Sequence, residues 1–218
     1  MALAGKVLAC LGDSTTWGDN GEGGGGPEIS WTTRMAELAH VKEARNFGVK
    51  GSSIAVKADR SDSFVERFGT LDLSADAIVL FGGVNDFCRA VPLGAMGESD
   101  VHTFYGALGY LARGLVSRYP EAKVVFMTPA KTAGVPAKGL PAFDVRNGVG
   151  AVEEEYADAM CEVAGTYSIP VIDLFRESGI SSLVDEQRRL YMPDGLHYSA
   201  AGYARLAERI ACDLAALI

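Results

Sequence analysis

The chain has 218 residues, 48% of them hydrophobic and 22% charged, a balance that permits a sizeable core and excludes a disordered or low-complexity protein. Its formal net charge of −8 excludes the basic surface that nucleic-acid binding requires, so small or neutral ligands are expected and nucleic acid is not. No linker-like shift in composition divides it, and one domain over residues 1–218 is expected.

Met1 to Lys6 place no basic segment ahead of an apolar one, and the first apolar run is too short for a signal peptide or a membrane span. A cytoplasmic location without membrane insertion is the corresponding expectation. Val7 to Leu11 then form a short apolar run ending in Gly12-Asp13-Ser14, read as a buried strand that delivers a serine to its C-terminal edge. Gly21 to Pro27 is glycine-rich but lacks both the Gly-Lys-Ser/Thr ending of a phosphate loop and the Rossmann spacing, so a flexible surface loop is expected. Ser30 caps a helix running to about Ala39, with Trp31, Met35 and Leu38 on one face. Val41 to Phe47 reads as a polar edge strand, and a weak helical segment follows over Ser63 to Phe68.

Asp76 to Phe81 has the unbroken apolar character of a central parallel strand and ends in Gly82-Gly83-Val84-Asn85-Asp86. Phe104, Leu108, Leu111, Leu115 and Tyr119 mark a helix, Lys123 to Met127 a strand, and Thr128 to Gly148 a long irregular stretch suited to a lid or substrate wall. Val152, Tyr156, Met160 and Val163 mark the next helix, Pro170 to Leu174 the fifth strand, and Tyr203, Leu206, Ile210 and Leu214 the closing helix. This alternation predicts an α/β fold, a three-layer α/β/α sandwich with a five-stranded parallel sheet.

Serine needs a base, an oriented acid and donors for the developing oxyanion before it becomes a catalyst. Of the three histidines, His40 ends a helix and His102 opens one, positions of capping or exposure. His197, in Pro193-Asp194-Gly195-Leu196-His197, reaches the C-terminal sheet edge with an aspartate three residues before it. An aspartate in such a turn can fold back on the second ring nitrogen and fix the tautomer. The four cysteines, Cys10, Cys88, Cys161 and Cys212, have neither zinc-site spacing nor disulfide density and read as free thiols.

Four blocks in order carry a resemblance over nearly the whole chain: Gly12-Asp13-Ser14, Asn46-x-Gly48-x-x-Gly51, Gly82-x-x-Asn85-Asp86 and Asp194-x-x-His197. The chain resembles the SGNH hydrolase superfamily, the GDSL-type esterases and lipases. The resemblance implies a flavodoxin-like sheet, with Ser14 as nucleophile, His197 as base and Asp194 as its orienter. It also implies an oxyanion hole of the Ser14 and Gly51 backbone N–H groups and the Asn85 amide, an acyl-enzyme cycle, and no metal or organic cofactor. Thr15 stands where the name-giving motif has Leu, and Lys50, beside the oxyanion glycine, is a cation facing either solvent or an anionic substrate group.

Three rival readings are a non-catalytic ligand-binding relative, a thiol enzyme using Cys88, and a nucleotide binder using the glycine loop. The loops over residues 88–99 and 130–147 hold Arg89, Glu98, Lys131, Lys138, Asp144 and Arg146 among Gly and Pro, without a long apolar run. Short-chain carboxylic esters, O-acetyl groups on carbohydrate included, are therefore expected, with lysophospholipase, lipase or thioesterase chemistry as the alternative. That alternative would need Val91, Leu93, Leu140 and Phe143 to line a chain pocket.

Overall fold

The computed structural model describes residues 2–218. Five parallel strands, β1 (Val7–Gly12), β2 (Glu43–Gly48), β3 (Ala77–Phe81), β4 (Lys123–Met127) and β5 (Val171–Ile172), lie in the order β2-β1-β3-β4-β5. Register follows from side-chain alternation: Cys10 pairs with Val79 and Val79 with Val125, so residues facing one side of the sheet fall in a row. Leu8, Cys10, Val79, Phe81, Val125 and Met127 belong to one core, and Ala9, Leu11, Ile78, Leu80, Val124 and Phe126 to the other.

The first core is closed by α2 (Trp31–Ala39) and α9 (Ala200–Leu217), through Trp31 and Met35 on one helix and Tyr203, Leu206 and Ile210 on the other. The second is closed by α3 (Phe64–Arg67), α5 (Phe104–Arg118) and α6 (Glu153–Thr166), through Phe64, Leu108, Leu111, Tyr156 and Met160. Each such side chain, fully buried, contributes roughly 1.5–3 kcal/mol. Short helices stand at the C-terminal strand ends: α1 (Ser14–Trp17) after β1, α4 (Val84–Cys88) after β3, and α7 (Leu174–Glu177) after β5. One more, α8 (Asp185–Tyr191), precedes the turn into α9.

Strand β1 leads outward to β2, and the chain then returns across β1 to β3, so the order reverses between β1 and β3. A crevice opens outside the carboxyl ends of strands at such a switch point. Ser14 and Asn85 follow those two strands.

Several boundaries differ from expectation for local reasons. The second strand starts at Glu43 rather than Val41, because the Val41 N–H is donated to Ala36 O and closes the preceding helix. The fifth strand keeps two residues, since Asp173 caps α7 by accepting from the Arg176 N–H and turns the chain out of the sheet. Ser63 and Glu66 close a reciprocal capping box that gives the weak segment a definite start. His40 is an exposed left-handed C-cap, and His102 lies exposed in a turn, its ring 2.8 Å from Asp100 Oδ1.

Candidate active site

The nucleophile candidate owes its position to Asp13. This buried carboxylate caps α1, accepting from Thr15 N–H and from the Thr15 hydroxyl, both at 2.8 Å. Ser14, the first residue of α1, is 4% exposed, and its Oγ is 2.9 Å from His197 Nε2. His197 Nδ1 is in turn 2.8 Å from Asp194 Oδ2.

A single turn fixes that pair. Asp194 Oδ1 accepts the backbone N–H groups of Leu196 at 3.0 Å and His197 at 2.8 Å, which leaves Oδ2 aimed at the ring. Burial alone would raise the Asp194 carboxyl, but the bonds from the His197 ring and backbone and from the Leu196 N–H hold it well below the usual carboxylate range. Asp194 is thus an anion with both oxygens occupied, suited to hold Nδ1–H and leave Nε2 as acceptor toward Ser14. Lys138 reaches Asp194 Oδ2 at 3.6 Å from an exposed position, a contact that contributes little.

The glycine-rich loop departs from expectation here. A Cβ on Gly21 would lie 2.5 Å from Asp194 Cγ, so the loop's first glycine packs directly against the histidine's partner. Asp19 accepts the Gly21 N–H at 3.0 Å, and its Oδ2 lies 4.0 Å from His197 Nε2 and 2.6 Å from Lys50 Nζ. Lys50 also stands 4.5 Å from the Trp17 ring centroid. Its cation therefore has an acid and an aromatic face of its own. The sequence offers no signal for this cluster, because its members meet only through two loops at the sheet edge.

Asn85 reaches both Asp13, next to Ser14, and Ser52, next to Gly51. The backbone N–H groups of Ser14 and Gly51 are donated to no other protein group among the described residues. Asn85 Nδ2 donates to Asp13 Oδ2 and to Ser52 O, each at 3.1 Å, so both its hydrogens have acceptors in this arrangement. Asp86 is fully buried and accepts the N–H groups of Ile54 at 2.8 Å and Ala55 at 2.9 Å, clamping the segment after Gly51. Burial pushes its carboxyl up to about 7, against the pull of those donors and with the nearby Asp13 adding to the rise.

Two further residues fasten the strand ends and α1. Arg67 donates to the carbonyls of Phe47, Gly12 and Asp62 and to Ser52 Oγ at 2.8–3.0 Å, tying the ends of β1 and β2 to the Ser52 loop. Asn46, from the second block, donates to Thr16 O at 2.6 Å and accepts from Gly48 N–H at 2.9 Å, fastening α1 over β2. Cys88 is half-buried, and burial, reinforced by Glu153 and Asp13, pushes its thiol up to about 12, which removes the thiolate a cysteine nucleophile needs. No three His, Cys, Asp or Glu side chains gather as metal ligands among the described residues, and no helix there is long and apolar enough to cross a membrane.

The fold has close counterparts. A solved structure 56% identical to the chain matches all of it and 99% of its own length with a TM-score of 0.97. A protein from Lactobacillus plantarum is 30% identical, with 99% of both chains covered and a TM-score of 0.87. A lipase/acylhydrolase from Enterococcus faecalis, 21% identical, shares the fold over 97% of this chain and 96% of its own at a TM-score of 0.69. No curated protein matches the chain in sequence. Residues 10–205 match the GDSL-like Lipase/Acylhydrolase family, and the chain, an ester-bond hydrolase of the SGNH superfamily, belongs to it.

Proposed function

We propose that this hydrolase is a serine esterase for short-chain carboxylic esters, O-acetyl groups on carbohydrate among them, acting through Ser14, His197 and Asp194. The observation that carries the reading is the line of hydrogen bonds from Ser14 Oγ to His197 Nε2 at 2.9 Å and from Nδ1 to Asp194 at 2.8 Å. Ser14 Oγ attacks the ester carbonyl while its proton passes to His197 Nε2. That proton then leaves on the departing alcohol, and water, activated by the same nitrogen, releases the acid from Ser14. The free N–H groups of Ser14 and Gly51 receive the oxyanion. The Asn85 amide joins them when the substrate oxygen replaces one of its two present acceptors.

The chain-length part of the reading rests on where the apolar loop residues go. Val91 and Leu93 pack into the α5–α6 core, Phe143 stands edge-on to Phe175, and Leu140 packs on Val84, Val135 and Leu196. Val91 is buried, and Leu93, Leu140 and Phe143, though half-buried, each pack against a partner of their own. The cavity under Thr15, Val84 and Leu196 has about 10 Å³ of room, enough for one water and not for an acyl chain.

A fluorophosphonate probe is expected to label Ser14 and no other residue, and kcat/KM for p-nitrophenyl esters is expected to fall from acetate to decanoate. Labelling elsewhere overturns the nucleophile; a rise with chain length overturns the short-chain preference.

A further inference from the structure

We propose that Arg89, with Arg60 beside it, forms a subsite for an anionic group, a carboxylate or phosphate, carried by the ester substrate next to its scissile carbonyl; this rests on Ser14 as nucleophile and Gly51 as part of its oxyanion hole. Gly51 has a left-handed φ of 75°, and a Cβ there would lie 2.7 Å from Arg89 Nη2 and 3.1 Å from Arg60 Nη1. Two guanidinium groups therefore converge on one side of the glycine whose N–H is donated to no protein group among the described residues and whose neighbour Ser52 accepts from the Asn85 amide.

Like charges this close need counter-charge, and only one of them has it. Arg60 Nε donates to Asp62 Oδ1 at 2.9 Å, its Nη2 also bonds Asp62 Oδ2, and Nη2 donates to Lys50 O at 3.0 Å. Arg67, the next cation along, spends its nitrogens on carbonyls and the Ser52 hydroxyl, with no direct carboxylate contact. The Arg89 guanidinium donates no hydrogen bond and makes no ion pair among the described residues, although it is half-buried. Asp62 thus faces three arginines. Its carboxyl lies below the usual value through the Arg60 bond first, with the fields of Arg60, Arg67 and Arg89 added.

This surplus of positive charge occurs in a chain whose formal net charge is −8. Arg176 meets Asp173, Glu154 and Asp158, and Arg209 meets Glu177 and Asp213. Arg113, Arg118 and Arg205 make no ion pair among the described residues but lie exposed, whereas Arg89 is half-buried against Gly51. Lys50, the cation that the sequence made conspicuous, is already held by Asp19 and is not the free one.

The base of the Arg89 side chain is also fixed in place. Its N–H closes α4 on Asn85 O at 3.0 Å, and Ala90 follows at φ 53°, a left-handed conformation a non-glycine residue holds only under constraint. That constraint comes from Ala90 N–H to Phe87 O, Val91 N–H to Asp86 O and Asn147 Nδ2 to Phe87 O, at 2.9–3.0 Å. The planar fork of an arginine anchored this way matches a carboxylate or phosphate bidentately.

Ester pairs that differ only in charge test the subsite. Monoethyl succinate against ethyl succinamate places the carboxylate on the acyl side, and acetoxyacetate against acetoxyacetamide places it on the alcohol side. Wild-type kcat/KM is expected to favour the acid over the amide by roughly tenfold or more in one pair, the size expected for a hydrogen bond between charged groups. Arg89→Met brings that ratio close to one, Arg89→Lys retains part of it, and added salt lowers it in the wild type, a readout that does not depend on the variants folding. No acid preference in either pair, or a ratio that Arg89→Met leaves unchanged, overturns the subsite. Turnover of the neutral amides that disappears in Ser14→Ala keeps the esterase reading standing in that event; absence of turnover with every ester removes both.

Discussion

On the His197 side of the Ser14 hydroxyl, the protein aligns side chains that face one another, whereas on the Asn85 side it uses buried carboxylates that face backbone. The first side spans 183 residues of sequence with two contacts, from Ser14 to His197 and from His197 to Asp194. The second holds Ile54, Ala55, Thr15 and the Asn85 amide on Asp86 and Asp13, so that the N–H of Gly51 is left free. In the proposed mechanism one side supplies reactive groups and the other supplies a shaped backbone. Loss of a reactive group stops the chemistry outright, while loss of a scaffold group degrades it in steps.

The largest effect is expected on the first side. Ser14→Ala should lower kcat by roughly 10⁴-fold or more with the melting temperature almost unchanged, because its hydroxyl caps nothing and fills little core volume. Steady-state kinetics together with a thermal melt check this, and wild-type turnover by the alanine variant would end the serine assignment. On the second side, Asn85→Ala should reduce kcat by roughly 10²- to 10³-fold with little change in KM, as expected of a donor that meets charge only in the transition state. A raised KM with unchanged kcat would instead move Asn85 to ground-state binding and erase the contrast.

This division also accounts for what the sequence made legible. Ser14 follows an apolar strand, Asp194 and His197 share one turn before the last helix, and the apolar runs of β1, β3 and β4 announce a central parallel sheet. Asp86 appears in a block, but its task, holding two N–H groups 31 and 32 residues away, is written in no local spacing. Arg67 reads as an ordinary polar face of a weak helix, yet it fastens two strand ends. Gly21 reads as loop because its contact, Asp194, lies across the whole chain. The two-residue β5 was overestimated for a similar reason: apolar Pro170 to Leu174 serves partly as strand and partly as helix cap, and Asp173 decides where the change occurs.

Asp86→Asn sharpens the comparison at smaller amplitude. One amide oxygen can still accept a backbone N–H, but the amide nitrogen would confront the other donor, at a cost of about 1–3 kcal/mol for an unsatisfied buried group. For a chain of this length the melting temperature should fall by ~3–10 °C. kcat should fall by roughly tenfold as the segment from Ser52 to Ala55 shifts under Asn85. Differential scanning fluorimetry with parallel kinetics reads both. A variant that loses stability and keeps full kcat would show that Asp86 supports the fold without shaping the site.

The smallest effect should leave rates alone and appear only with pH. Glu153 opens α6 fully buried; Oε2 accepts the Thr132 N–H at 3.0 Å, and Oε1 has no partner among the described residues. Burial pushes its carboxyl up to about 8, against the pull of the Thr132 N–H and Lys131. Through Thr132, whose Oγ1 donates to Gly195 O at 3.1 Å, this acid braces the turn that carries Asp194 and His197. The folded protein therefore keeps a proton that the unfolded chain releases near its ordinary value of 4.5. Between that value and about 8 the native state binds more protons than the unfolded one, so this group's contribution to stability falls as pH rises and the loss is complete above about 8. Glu153→Gln keeps an acceptor for Thr132 and cannot ionise. Asp86 pulls stability in the same direction in both proteins, so the difference between the two curves isolates Glu153. Melting curves for the two proteins should nearly coincide at pH 4.5 and separate steadily above it, with the glutamine variant ahead at pH 9. Parallel curves across that range would mean that the Glu153 carboxyl ionises at the same pH in the folded and unfolded chains, and that its orphaned oxygen is hydrated rather than protonated.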